Sequence, residues 1–109
     1  MSRRDDQRLE DILAAVEAIG NHLGRGMLDD GLVFDAVRVR LIEIGEAVRA
    51  ISPELLDREP DISWVDVAGM RNDLAHRPFD TAHAIVQATI HHDLPPLAAA
   101  VRRLLDGTS

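Results

Sequence analysis

Residues 9–23 read LEDILAAVEAIGNHL, and the apolar side chains of this stretch recur at intervals of three and four positions. An α-helix has 3.6 residues per turn, so this spacing lines one face of a helix with apolar groups. Acidic side chains lie towards its N-terminal end, where the helix dipole favours anions. We predict a first amphipathic helix that ends near Gly24 and Gly26.

The same spacing predicts a second helix, which starts at Asp29 or Asp30 and runs to about Ala50. Its apolar stripe consists of Phe34, Val37, Leu41, Ile44, Val48 and Ile51. Gly45 lies inside this helix, where a glycine costs about 1 kcal/mol relative to alanine. We therefore expect Gly45 to permit the close approach of another backbone.

Capping signals predict the next two elements. Ser52 followed by Pro53 is typical of an N-cap and first position of a helix, here a single short turn. Residues 57–61 contain a proline and predict a connecting loop. Ser63 followed by Asp66 resembles a capping box that opens a third helix, with Asp in place of the usual Glu or Gln.

Prolines divide the C-terminal part of the chain. Pro78 bounds the third helix, because a proline ring pushes the preceding residue out of helical geometry. Asp80 is the candidate N-cap of a fourth helix. Asp93, followed by Pro95 and Pro96, is expected to restart the chain into a last helix.

The composition agrees with a bundle of helices. The chain has 109 residues, of which 46% are hydrophobic and 28% charged, and these values are typical of one globular domain. Aromatic residues make up 3%, and no long alternation of apolar and polar residues predicts a strand. We predict an all-α, up-and-down bundle of four main helices plus a short helix, in one domain over residues 1–109.

Charge and cysteine content exclude several classes of protein. The formal net charge is −7 and every basic side chain is an arginine, which argues against a protein that coats nucleic acid by neutralising phosphates. Without cysteine there is no disulfide, thiolate zinc site or cysteine nucleophile. No apolar run is long enough to span a bilayer, and the N-terminal sequence does not resemble a signal peptide, so we expect a soluble, cytoplasmic protein without a membrane partner.

The residues best suited to chemistry lie at positions 69–79, which read GMRNDLAHRPF. An arginine grips phosphate through a planar fork of donors, and a histidine both accepts and donates protons near neutral pH. Together these groups suffice for metal-free RNA cleavage, in which the 2′-hydroxyl attacks the adjacent phosphate. On a regular helix Arg71 and His76 point about 140° apart. Either the helix loosens near His76, or a second copy completes the site across a dimer axis.

The order Arg71, Asn72, three further positions and His76 resembles the signature of HEPN ribonucleases, and specifically of HepT-like toxins. Most of the chain shares this resemblance, through Ile44-Gly45-Glu46-Ala47, Ser52-Pro53-Glu54-Leu55, Trp64, Ala68-Gly69-Met70-Arg71-Asn72 and Asp93-Leu94-Pro95. The resemblance implies a HEPN-like helical bundle that forms a homodimer with two such motifs facing each other. It also implies a metal-independent endoribonuclease, the toxin of a toxin–antitoxin pair, with RNA as substrate and an MNT-type nucleotidyltransferase as antitoxin partner.

Carried onto this chain, the resemblance makes Arg71 the group that stabilises the phosphate and His76 the general base or acid. Asn72 would orient the site. Arg77 is a candidate phosphate contact, and Phe79 supplies a ring that can stack on a base. No cofactor is expected.

One position departs from the family pattern. HepT proteins usually carry a tyrosine two residues after the motif histidine, and the antitoxin transfers AMP to that tyrosine. Pro78 occupies the position here, and the chain has no tyrosine. Control would then act by steric capture, by modification of another residue, or not at all. The alternative function is a non-catalytic HEPN-fold module that pairs with a nucleotidyltransferase.

Each candidate residue can also have a purely structural role. Arg71 can form a surface ion pair with Glu46 or Asp73. His76 can interact with the carbonyls and dipole at a helix end, and Arg77 can be an exposed helix-end cation. These alternatives stay open at the level of sequence.

A metal site is not expected. His83, His91 and His92 have no acidic residue at ligand spacing. Glu43 and Glu46 are three positions apart, but a carboxylate-bridged bundle needs Glu-x-x-His pairs, which the chain lacks.

Overall fold

The computed structural model describes residues 3–107, which contain helices and no β-strand. The helices are α1 (Arg3–Leu23), α2 (Gly31–Arg49), α3 (Pro53–Leu56), α4 (Trp64–His76), α5 (Phe79–Ala88) and α6 (Leu94–Asp106), with a π-helical segment at Thr89–Asp93. Helix α2 packs against α1 and α4, and α1 also packs against α6. The predicted all-α class is confirmed, while residues 1–2 and 108–109 of the predicted domain lie outside the described residues.

The core is built from the predicted apolar stripes. All six members of the α2 stripe, from Phe34 to Ile51, are buried. Burial of one such side chain contributes about 1.5–3 kcal/mol, so the two long stripes supply much of the driving force for folding. The largest fully buried side chains are Leu9, Ile12, Ile19, Val37, Leu41, Ile44, Leu74, Val86 and Val101. Among residues 3–107, no helix combines the length and apolar character of a membrane span.

Two of the predicted caps are found, one with an added role. The Asp30 side chain accepts a hydrogen bond from the backbone N–H of Leu32 at 2.9 Å, which caps α2. Ser52 occupies the N-cap position of α3 as predicted, but its side chain does not cap that helix. Instead its Oγ and backbone N–H donate to the buried carboxylate of Asp5 at 2.8 and 3.1 Å. The short helix is thereby tied to the start of α1.

Two predicted caps were wrong in detail. The N-cap position of α4 is occupied by Ser63 as predicted, but the Ser63 hydroxyl donates to the Asp66 carboxylate at 2.7 Å, so the pair forms a side-chain hydrogen bond and not a capping box with the backbone. Helix α5 begins at Phe79 with Pro78 as its N-cap, and Asp80 lies in the first turn. The fixed φ of proline sets the turn here, while the Asp80 carboxylate still lies where the helix dipole favours an anion.

The last helix, α6, starts where the sequence predicts, with Asp93 as its N-cap, but no break in the helical backbone precedes it. The backbone stays helical from α5 through the π-helical segment into α6, and the N–H of Leu94 bonds to the carbonyl of Thr89, five positions back. Pro95 and Pro96 have no N–H to donate, and their rings crowd the carbonyls one turn earlier. The wider π-helical turn accommodates both prolines without ending the helical path.

Candidate ribonuclease site

Helix α4 carries the candidate site, and Gly45 of α2 determines how closely it packs. A Cβ atom built on Gly45 would lie 2.9 Å from the carbonyl oxygen of Val67 and 3.4 Å from that of Ala68. The backbones of α2 and α4 therefore touch where glycine has no side chain, as the sequence predicted. Met70 and Leu74 are the buried residues of α4, so most of its remaining surface is open.

Both ends of α4 are held by side chains. At the start, the indole N–H of Trp64 donates to the carbonyls of Leu56 and Glu59, at 2.9 and 3.1 Å. Near the end, the guanidinium of Arg38 donates to the carbonyl of Leu74 at 3.2 Å. Such a donor satisfies one of the carbonyls that a helix C-terminus leaves without partners. Arg38 thus supports the last turn of α4, which sequence reasoning had not assigned to it.

Arg71 is exposed and forms an ion pair across to α2. Its Nε lies 3.2 Å from an Oε1 of Glu46, and both side chains are about half exposed, at 52% and 53%. Of the two ion-pair partners that the sequence offers for Arg71, Glu46 and Asp73, the structure pairs it with Glu46. An exposed pair of this kind contributes little to stability, about 0–1 kcal/mol. Because the contact uses Nε, the two terminal nitrogens of the guanidinium remain as donors for a second anion.

Asn72 and His76 lie on a different face of α4 from Arg71. Both are exposed, and their spacing of four positions makes them neighbours on the helix surface. Helix α4 remains α-helical through His76, and the backbone becomes extended only at Arg77. The helix therefore does not loosen near His76.

Arg71 and His76 consequently remain about 140° apart around α4. Among the hydrogen bonds and ion pairs of residues 3–107, none joins Arg71 to Asn72 or His76. One copy of the chain presents these groups on its surface without bringing them to a common point.

Arg77 and Phe79 continue the exposed surface beyond α4. The Arg77 guanidinium lies 3.7 Å from the Asp73 carboxylate, with both side chains about half exposed. The ring of Phe79 is 56% exposed and packs on Phe34, with 5.0 Å between ring centroids. His83 lies beside both rings, 5.6 Å from Phe34 and 5.7 Å from Phe79.

Sequence reasoning had considered His83 only as a metal ligand. The signal for its actual contact was its position four residues after Phe79, which places the two side chains on one face of α5. Its Nε2 lies 3.7 Å from an Oδ1 of Asp29. Within residues 3–107, no group of three or more histidines and carboxylates is arranged to hold a metal ion.

Two grooves elsewhere have less suitable charge for RNA. A groove of about 450 Å³ between α1 and α2 contains Arg8 and Arg40, but both arginines pair with neighbouring carboxylates. A second groove of about 390 Å³, between α4 and α6, is lined by four aspartates and no arginine. The aspartates are Asp61, Asp66, Asp73 and Asp93. An anionic groove repels phosphate, so the groove between α4 and α6 is unsuited to RNA.

Comparison with known proteins identifies the family. The family model described as ribonuclease HepT-like matches residues 9–104. A protein of Thermococcus cleftensis named "Probable ribonuclease HepT" is 30% identical over 108 residues, which cover 95% of this chain and 98% of that protein. A protein of Caldanaerobacter subterraneus subsp. tengcongensis named "Putative RNase TTE0752" is 35% identical over 68 residues, which cover 62% of this chain and 61% of that protein. No solved structure matches significantly. The chain belongs to the HepT-like ribonuclease family.

Proposed function

We propose that this protein is a metal-independent endoribonuclease and the toxin of a HepT/MNT-type toxin–antitoxin pair. Its catalytic residues are Arg71, Asn72 and His76. The observation that carries the proposal is that these three residues lie exposed on α4 of a HepT-like ribonuclease, with their backbone fixed by packing against α2. An exposed arginine and histidine on a rigid helix are available to a large polyanion, as an RNA substrate requires.

The chemistry needs a base, an acid and a cation at one phosphate. One imidazole takes the proton of the 2′-hydroxyl while the O2′–phosphorus bond forms and the bond from phosphorus to O5′ breaks. A second imidazole, which is protonated, gives its proton to the departing O5′. The guanidinium of Arg71 stabilises the charge that develops on the phosphoryl oxygens, and the Asn72 amide orients the substrate. The products carry a 2′,3′-cyclic phosphate and a 5′-hydroxyl.

The geometry of α4 is the reason for placing this site between two chains. A regular helix keeps Arg71 and His76 about 140° apart, so a single copy does not direct both at one phosphate. A two-fold axis beside α4 would bring Arg71 of one chain towards His76 of the other and supply two imidazoles. The homodimer therefore provides both the acid and the base.

Regulation by an MNT-type nucleotidyltransferase antitoxin must work without the usual acceptor. The chain has no tyrosine, and Pro78 occupies the position where the family carries one. We propose that the partner neutralises this toxin by covering the α4 surface or by modifying a residue other than tyrosine.

The test is cleavage of total cellular RNA by the purified protein in EDTA. Arg71→Ala and His76→Ala should each reduce the rate by about 100-fold or more. Arg102→Ala is the matched control, since Arg102 is also an exposed arginine but lies on α6. Both altered site residues are exposed, so circular dichroism spectra should not change.

The opposite result also has a clear meaning. If the parent protein leaves RNA intact under all conditions, the catalytic proposal fails. The alternative function, a non-catalytic module that pairs with a nucleotidyltransferase, would then be the one to test by measuring binding to such a partner. If the parent cleaves only when a divalent metal is present, the proposed metal-independent mechanism is wrong.

A further inference from the structure

We infer that Phe79, backed by Phe34 and His83, forms a nucleobase-binding subsite next to the catalytic residues. This inference rests on the proposed ribonuclease function and adds a specific binding role for the aromatic cluster. His83 and Phe34 act as positioning residues, because they contact the Phe79 ring and would not themselves touch the phosphate.

The first argument is the exposure of the Phe79 ring. The chain contains two phenylalanines, one tryptophan and no tyrosine. Phe34 is buried, and Trp64 is partly buried with its indole N–H bonded to backbone carbonyls. Phe79 therefore presents the one large, exposed aromatic face of the chain, and the other exposed large hydrophobic residues within 3–107 are aliphatic. A nucleobase stacks on an aromatic face, and every base has a π-face to offer.

The second argument is that the ring is held in place before any ligand arrives. Phe34 packs against Phe79 with the ring planes inclined at 58°. His83 stacks on Phe34 at 21° and also contacts Phe79. The Nε2 of His83 also lies 3.7 Å from the carboxylate of Asp29, in the segment before α2. A ring that is already fixed loses little conformational entropy on binding, which favours affinity.

The third argument is the position of the ring relative to the catalytic residues. Phe79 follows His76 by three residues, so their Cα atoms are at most about 11 Å apart. Arg77 lies between them, is exposed, and has only a 3.7 Å contact with Asp73. Positions 76, 77 and 79 thus offer a proton-transfer group, a cation and a stacking surface. This order suits two neighbouring nucleotides of an RNA strand. The phosphate between them would lie near His76 and Arg77, and the base of one of them would stack on Phe79.

The test measures binding separately from cleavage. The probe is a single-stranded 2′-O-methyl RNA of about ten nucleotides, which lacks the attacking hydroxyl and remains intact. Phe79→Ala should weaken its binding about 5- to 150-fold, while Phe79→Trp should keep the affinity close to that of the parent. Val65→Ala is the matched control, because Val65 is an exposed apolar residue at the opposite end of α4.

Fluorescence adds a readout that a merely structural role would not change. The parent has one tryptophan, Trp64, whose indole is held by two carbonyls of its own chain. Titration of the parent with RNA measures any change in the emission of Trp64 itself, which is subtracted from that of Phe79→Trp. In Phe79→Trp, the emission should be quenched as the base stacks on the new ring.

Three outcomes would overturn the inference. Equal RNA affinity of parent and Phe79→Ala would show that no base uses the ring. A change in sedimentation of Phe79→Ala at constant protein concentration would show that the ring is a protein–protein contact. If the parent protein neither cuts nor binds RNA, the proposed ribonuclease function fails together with this inference. If the parent protein cuts RNA but Phe79→Ala binds the probe as tightly as the parent, only the nucleobase subsite is refuted.

Discussion

Replacing Gly45 by alanine should disturb the contact that positions α4. The added Cβ would lie 2.9 Å from the carbonyl oxygen of Val67, where ordinary contacts begin at 3.4 Å. It would also lie 3.6 Å from the backbone nitrogen of Arg71. The obstructing atom belongs to the backbone, so no side-chain rotation relieves the overlap. Helix α4 must move away from α2 by about 0.5 Å.

The expected magnitude follows from two opposing effects. Alanine in a helix interior is more favourable than glycine by about 1 kcal/mol. Overpacking of a tight contact costs about 1–3 kcal/mol. The net result should be a loss of about 1 kcal/mol in the free energy of unfolding, or about 4 °C in Tm. Since the displaced backbone carries Arg71, RNA cleavage should fall about tenfold although no catalytic side chain has changed.

Urea unfolding of the parent, Gly45→Ala and Gly20→Ala at one protein concentration tests this reasoning. Gly20 lies inside α1, and a Cβ there would meet no atom within 4 Å. Gly20→Ala should therefore gain about 1 kcal/mol from helix propensity alone. A gain of the same size in Gly45→Ala would refute the idea that the α2–α4 contact is closed to a side chain.

Two further predictions concern contacts that fix the ends of the bundle. Asp5→Ala should lower the free energy of unfolding by about 1–3 kcal/mol, because the hydroxyl and N–H of Ser52 would lose their buried acceptor; urea unfolding measures this loss. Arg103→Ala should lower the Tm more than Arg102→Ala, because Arg103 donates hydrogen bonds to the carboxylate of Glu59. These hydrogen bonds also lower the pKa of the Glu59 carboxyl from its ordinary value of 4.5. The interaction of ionised Glu59 with Arg103 therefore stabilises the fold above pH 4.5, and this stabilisation is lost as the pH falls through the lowered pKa and Glu59 becomes protonated. The Tm difference between parent and Arg103→Ala should therefore shrink in acid.

Much of the fold could be predicted because local spacing determines the faces of the long helices. All six positions of the predicted stripe from Phe34 to Ile51 are buried in the structure. The close approach predicted at Gly45 was also confirmed. It could be predicted because a glycine weakens a helix interior, so its presence there is typical of a position where two backbones touch. Asp93, Pro95 and Pro96 correctly predict the start of α6, but they do not indicate that the backbone before them stays helical. A π-helical turn absorbed the prolines, and nothing in local propensity indicates it.

Only those features of the candidate site that lie within a single helix could be predicted from the sequence. Helical geometry alone fixed the angle between Arg71 and His76. The partnership of Arg71 with Glu46 and the stacking of His83 on Phe34 both depend on how separate helices pack. Such contacts join residues far apart in the chain, so single-sequence spacing does not distinguish them from other surface pairs. The catalytic roles of Arg71, Asn72 and His76 remain predictions.

Mixed dimers of the parent and an inactive variant test the composite site most directly. Parent and His76→Ala chains, unfolded together in urea in equal amounts and refolded as a mixture, would form about one quarter parent dimers, one half mixed dimers and one quarter variant dimers. A mixed dimer has one imidazole at position 76 where the proposed mechanism needs two, so we predict that the mixture cleaves RNA in EDTA at about one quarter of the rate of the same total amount of parent. A rate of about one half, although mixed dimers have formed, would contradict the assignment of the His76 side chains of both chains to one catalytic site.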